Sequence, residues 1–137
     1  MLLVLDSNEY LSAVGLTRKI PCARLLDVLI ERYPIHRIRI PRLIVTEVRR
    51  HLSPQAFKEW LTSMLAVAVV DEDFDVPFEL GAKYEMRGLK PADAFIAAYT
   101  EWVGAELLVS ENRHFLTRHA DLPFQVLTAE QALKKIS

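Results

Sequence analysis

The side chains best suited to act together chemically are three carboxylates and an amide spread along the chain: Asp6, Glu47, Asp93 and Asn112. Asp6 directly follows the apolar run Leu2–Leu5, and Asn112 follows a second such run, Leu107–Val109, across Ser110 and Glu111. Brought within about 5 Å, carboxylates repel by roughly 3 kcal/mol per pair at an effective dielectric near 20. Some must then stay protonated or share a cation. A hard divalent ion such as Mg²⁺ or Mn²⁺ takes carboxylates, an amide oxygen and several waters. In that chemistry Asp6 and Asp93 are the candidate metal ligands. Glu47 and Asn112 complete the candidate set, with Ser110 and Glu111 beside Asn112 as further site candidates.

Such a meeting requires elements that deliver these residues to one place. In Lys90–Phe115, Pro91 suits a helix's first turn and Gly104 a left-handed cap, which predicts a helix from about Ala92 to Val103 with Asp93 in its positive first turn. Phe95, Ile96, Tyr99, Trp102 and Val103 share one face of it. Glu106–Ser110 reads as a short buried strand leaving into the polar loop Ser110–Phe115. Leu2–Leu5 reads as another strand, ending in the polar Asp6-Ser7-Asn8.

Between them, the chain alternates. A helix is expected from about Cys22 to the stop at Pro34, with Cys22 as a small core residue rather than a nucleophile. Arg37–Ile40 reads as a strand, and a helix over 42–51 carries Glu47. Ser53-Pro54 caps a further helix with Phe57, Trp60, Leu61, Met64 and Leu65 on one face. Ala66–Val70 is expected as a strand, Asp71–Asp75 as a solvated acidic loop, and Pro77–Arg87 as a helix ended by Gly88. A turn of helix over 113–119, a last strand Phe124–Leu127 and a capping box at Thr128–Gln131 complete the pattern. Strands alternating with helices predict an α/β fold in one domain spanning residues 1–137. In an open parallel sheet, ligands bind beyond the C-terminal strand ends, where Asp6 and Asn112 stand.

Composition narrows the function classes. With 137 residues, 51% hydrophobic and 26% charged, the chain can bury roughly two-thirds of its unfolded surface without staples. The single Cys22 excludes an internal disulfide, and no His/Cys spacing suggests structural zinc, so a cytoplasmic setting is expected. The apolar start Met1–Leu5 is too short for a secretory leader, and no run approaches a membrane span. A net charge of −1 argues against a strongly basic nucleic-acid-binding domain but leaves room for a local patch. Arg49, Arg50, Arg113, His114 and Arg118 lie in segments near the proposed site and are either phosphate contacts or ordinary solvated charges.

LDSN at Asp6–Asn8, a helical Glu47 after Pro41, PADAFIAA around Asp93 and GAELLVSENRHF through Asn112 together resemble PIN domains, particularly the small VapC-like ribonuclease toxins. The likeness spans almost the whole chain. It implies a three-layer domain with a five-stranded parallel sheet of order 3-2-1-4-5 flanked by helices, and an acidic, Mg²⁺- or Mn²⁺-dependent site. The implied activity is endoribonuclease hydrolysis of RNA phosphodiesters, as the toxin of a type II toxin–antitoxin pair, with a cognate antitoxin and a homodimer as usual partners. Asp6, Glu47 and Asp93 match the family's acidic positions, and Ser7 and Ser110 its small hydroxyl positions. Asn112 stands where the fourth acidic residue is commonly Asp. An amide brings no negative charge, which weakens the case for a second metal, and Asn112 ranks ahead of its neighbour Glu111 as the site member.

Other readings compete. Singly, Asp6 suits a strand-end turn, Asp93 a helix N-terminus, and Glu47 a surface pair with Arg50 or His51. The alternative function is a catalytically weak PIN-like module that binds RNA or a protein partner. A phosphoacceptor receiver would need an adjacent acidic pair after the first strand and a lysine after the last, and this chain has neither.

Overall fold

A computed structural model of the chain describes residues 1–112, 115 and 121–137. Its centre is β1 (Leu2–Leu5), four apolar residues of which Leu3 and Val4 are wholly enclosed. A strand apolar on both faces is stable only with cover on both faces and neighbours on both edges. β1 has both. On one side it pairs in parallel with β2 (Arg37–Pro41), which pairs with β3 (Ala68–Asp71); on the other it pairs with β4 (Leu107–Val109), which pairs with β5 (Gln125–Leu127). The sheet order is 3-2-1-4-5, as the family resemblance implies. Leu3 faces Leu107, Val4 faces Leu108 and Leu5 faces Val109, so the two most buried strands end together.

Helices close both faces. α1 (Ser7–Val14) leaves β1 at once and packs on α2 (Ile20–Glu31), which seats Leu25, Leu26 and Leu29 in the core. α3 (Arg42–His51) buries Ile44, Val45 and Val48. α4 (Pro54–Val67) opens on Ser53, whose hydroxyl accepts from the Ala56 N–H at 3.2 Å. α5 (Phe78–Met86) packs on α6 (Pro91–Trp102), and the closing α7 (Ala129–Ile136) begins with the expected reciprocal capping box of Thr128 and Gln131. Among the described residues no helix is long and apolar enough to cross a membrane.

Several elements depart from expectation for identifiable reasons. α1 was not anticipated: Asp6 is its N-cap as well as the end of β1, and Asp-x-x-Glu at Asp6–Glu9 is the local signature of such a start. α4 runs two residues into the run assigned to β3, because Trp60, Met64 and Val67 continue one buried stripe at helical spacing. Leu65, placed on that stripe from the sequence, is exposed. The acidic stretch is not simply solvated. Asp71 ends β3 in a two-bond contact with Arg39 (2.6 and 2.8 Å) and accepts from the Tyr99 hydroxyl at 2.6 Å. Asp73 accepts from the Leu43 N–H at 3.0 Å, satisfying one of the open donors of the first turn of α3. α6 buries more than the predicted face: Ala94, Ala97, Ala98 and Thr100 join Ile96 and Tyr99, and Trp102 is partly exposed. Apart from the helical Phe115, the turn of helix expected over 113–119 lies outside the described residues.

Gly104 turns the chain from α6 into β4 at φ +71°, and a Cβ there would meet open space, so its requirement is conformational alone. Gly81, inside α5, also has open space around it but no unusual φ. Gly104→Ala should lower stability by about 1–2 kcal/mol, and Gly81→Ala should raise it by about 0.5–1 kcal/mol. Urea unfolding of the two variants should give midpoint shifts of opposite sign.

Candidate functional site

The parallel register places the candidate residues at one edge of the sheet. The Asp6 N–H donates to the Val109 carbonyl (2.9 Å), carrying the β1–β4 ladder one residue past β1, and the Ser110 N–H donates to the Leu127 carbonyl (2.9 Å). Asp6 and Ser110 thus stand side by side just beyond the C-terminal ends of adjacent strands. The chain leaves β1 for β2 on one side of the sheet, while β4 lies on the other. This is the point of an open α/β sheet where a crevice forms.

From there a chain of hydrogen bonds crosses the crevice. The Asp6 carboxylate accepts from the Ser7 N–H at 2.8 Å and from the Ser110 hydroxyl at 3.1 Å. The Ser110 oxygen in turn accepts from the Asn112 N–H at 3.0 Å, and the Asn112 side-chain amide donates to Asp93 at 3.3 Å. α6 supplies Asp93 from its first turn, where the helix's unpaired N–H groups favour a negative charge. Ser7 and Ser110 are buried, while Asp6 and Asp93 remain partly open to solvent.

The electrostatics register the same convergence. Burial pushes the Asp6 carboxyl above its ordinary range; the Ser7 and Ser110 hydrogen bonds oppose this, and the charges of Asp93 and Glu47 add to it. Glu47, on α3, enters only through its charge, the smallest of these causes. It is half-buried, and His51 turns its ring nitrogen to the Glu47 backbone carbonyl at 2.9 Å rather than to the carboxylate. Among the described residues no cation forms an ion pair with the Glu47 carboxylate. Hydrogen bonds thus bring Asp6, Ser7, Ser110, Asn112 and Asp93 together, whereas Glu47 is linked to Asp6 by its charge alone. Glu111 faces elsewhere: its carboxylate accepts from the Ala129 N–H at 3.1 Å, at the start of α7. Arg49 and Arg50 are exposed on the last turn of α3, with the Arg49 guanidinium 5.7 Å from the centre of the Phe57 ring. Arg113, His114 and Arg118 lie outside the described residues.

The donor set is all oxygen, suited to a hard divalent cation. Among the described residues, however, no three His, Cys, Asp or Glu side chains are grouped to hold a metal ion. Both Asp6 oxygens already accept hydrogen bonds, and Asp93 receives an N–H donor from Asn112 where a fourth carboxylate would demand a cation.

A PIN domain family model matches residues 3–121. The chain belongs to the PIN domain family. Membership supports a nuclease-like role in general terms. No curated protein sequence matches this PIN domain significantly. Among solved structures it is similar to a chain in the crystal structure of VapBC2 from Rickettsia felis bound to a DNA fragment from its promoter. That match has a TM-score of 0.63 and 18% identity, covering 92% of this chain and 97% of the other. It is also similar to a chain of FitAcB from Neisseria gonorrhoeae, with a TM-score of 0.60 and 14% identity over 93% of this chain and 97% of that one. At these identities the likeness establishes the shared fold.

One residue near this PIN site was missed from the sequence. Glu9, on the first turn of α1, is 2% exposed, its carboxyl packed against Cys22. The Cys22 thiol donates to it at 3.1 Å, which accounts for Cys22 as a buried core residue. Burial first, then the hydrogen bond with Glu111, raises the Glu9 carboxyl to about 9 from an ordinary 4.5. Between those values the folded protein keeps a proton that the unfolded chain has released, so the stability this proton confers is complete below about pH 4.5 and is lost as pH rises toward 9. One such proton gives a slope of at most about 1.4 kcal/mol per pH unit. Glu9→Gln should flatten that slope and raise the melting temperature most at the alkaline end of the window. Thermal unfolding of both proteins across pH 5–9 measures it.

Proposed function

We propose that this PIN domain is an RNA-binding module of the toxin–antitoxin kind whose site accepts one divalent cation, Mg²⁺ or Mn²⁺, and hydrolyses phosphodiester bonds only slowly. The hydrogen-bonded chain Asp6–Ser110–Asn112–Asp93 carries this reading, because an amide donor there relieves the repulsion that a fourth carboxylate would leave for a second metal. Asp6 and Asp93 would hold the cation, the remaining positions being filled by water, a coordination usual for Mg²⁺. When bound, the ion would lower the pKa of a bound water and offset charge developing on the scissile phosphate.

The chain's own residues have definite tasks in that scheme. The Ser7 N–H and Ser110 hydroxyl fix the Asp6 carboxylate, and the Asn112 amide fixes Asp93. Glu47, half-buried and without a cationic partner among the described residues, is the group able to take a proton from water. Arg49 and Arg50, with Arg113, His114 and Arg118, would engage the RNA backbone without reading its sequence. The resemblance to VapC-like toxins supports a cognate antitoxin and a homodimer as partners, and a single domain over residues 1–137.

A second reading, a fully active metal-dependent endoribonuclease, draws on the charges of Asp93 and Glu47 both acting on Asp6. Calorimetric titration with Mn²⁺ and a cleavage assay on single-stranded RNA separate the two. The proposal expects one Mn²⁺ per chain, lost in Asp93→Asn. It also expects RNA binding in chelator that weakens steeply with salt, and a gain in cleavage of about 10- to 100-fold in Asn112→Asp. Two bound ions, or a wild-type rate equal to that of Asn112→Asp, would establish the second reading. Absence of both Mn²⁺ and RNA binding would overturn both.

A further inference from the structure

We infer that the exposed apolar face of α5, with the hollow between it and the start of α6, docks a basic amphipathic segment of a partner protein. One short stretch leaves three large apolar side chains almost bare: Phe74 is 83% exposed, Phe78 85% and Met86 89%. Phe74 stands in the single turn Asp73–Asp75 that follows β3, and Phe78 opens α5. Phe78, Ala82, Glu85 and Met86 recur at helical spacing, so they share the face of α5 turned away from the buried Tyr84. Phe74, Phe78 and Ala82 join Val76, Pro91 and Phe95 around a cavity of about 480 Å³. A contiguous apolar surface left open to water marks a contact site. None of Asp6, Glu47, Asp93 and Asn112 lines it, so the inference goes beyond the nuclease reading and does not depend on it.

Charge selects the occupant. The charged residues lining the cavity, Asp73 and Glu85, are both acidic, and Asp75 and Glu79 stand exposed next to Phe74 and Phe78 in the chain. Among the described residues none of these four carboxylates forms an ion pair. The cations of α5 and its C-terminal cap are engaged elsewhere, Lys83 with Glu101 at 2.9 Å and Arg87 with Asp121, which leaves Lys90 at the start of α6 to offset them. An acidic rim repels the phosphates of nucleic acid and of anionic lipid. A second copy set on it by a two-fold axis would lay the same rim against itself. A small apolar molecule would fill the hollow without reaching Met86, which lies outside it. An amphipathic helix meets both halves of the surface: its large apolar side chains enter the hollow and cover Met86, while Lys or Arg along its flanks face Asp75, Glu79 and Glu85.

The test uses the full chain in chelator, so that its outcome is independent of the cation proposal. Fluorescence anisotropy follows a labelled peptide of about five helical turns with Leu and Phe along one face and Lys and Arg along the other, beside a second peptide with Glu in place of the Lys and Arg. The wild-type chain should bind the basic peptide more tightly than the acidic one by about tenfold or more. Phe78→Ser and Glu85→Lys should each weaken the basic peptide by about tenfold, with melting temperatures unchanged because both side chains are exposed. Equal affinity for the two peptides, no binding of either, or binding that neither substitution weakens would overturn the inference. Sedimentation of the chain alone tests the second copy. A dimer that Phe78→Ser dissociates gives this face to another copy and overturns the inference, whereas a monomer, or a dimer that Phe78→Ser leaves intact, supports it. Loss of single-stranded RNA binding in Phe78→Ser would assign the face to nucleic acid and overturn it as well.

Discussion

Enclosure of the Asp6 carboxyl at the C-terminal edge of β1 and β4, with the charges of Asp93 and Glu47 added to it, is the constraint on which the site depends. Asp6 cannot retreat from it: the backbone N–H of Asp6 belongs to the ladder with β4, and its side chain caps α1. Asp93 is similarly fixed in the first turn of α6. The charges are therefore set by the same bonds that make the fold, and what remains adjustable is the polar matter between them. Here that matter is a hydroxyl and an amide, Ser110 and Asn112, each donating toward a carboxylate.

The far edge of the sheet is held by a different arrangement. Asp71 is pushed up by burial, yet the hydrogen bonds from Arg39 and Tyr99 outweigh this and leave its carboxyl below the usual range. A charge so paired is costly to bury and costly to break. It links β2, β3 and α6, so the helix that presents Asp93 is tied to the sheet by Tyr99, about one and a half turns further along. The acidic residues of this chain therefore divide by partner. Asp71 and Asp73 meet cations and backbone donors and serve the frame, whereas the Asp6 carboxyl is acted on by the charges of Asp93 and Glu47.

Glu9 belongs to neither group. It is enclosed against the Cys22 thiol, while Glu111, beside Asn112 on the loop after β4, accepts the first N–H of α7. The position of the last helix thereby bears on the geometry of a site to which it contributes no side chain. A tie of this kind, through one backbone donor, is local and needs no conformational change.

The chain's apolar runs and caps determined a great deal without any knowledge of the fold. Leu2–Leu5 and Leu107–Val109 could only be enclosed strands, Pro91 and Gly104 bracketed the helix that holds Asp93, and Thr128 and Gln131 announced α7. These signals are local, since a fixed φ, a missing N–H or a side-chain cap acts within one turn of chain. The family resemblance added the strand order and singled out Asp6, Glu47, Asp93 and Asn112. Only the tertiary structure decided which of those side chains touch, that Glu111 turns to α7 and not to Asp93, that Asp71 is a strut of the sheet, and that Glu9 lies inside. Periodicity could not supply this, because the partner of a polar group is set by which distant segment packs beside it, and burial can turn an acidic residue into a neutral hydrogen-bond donor.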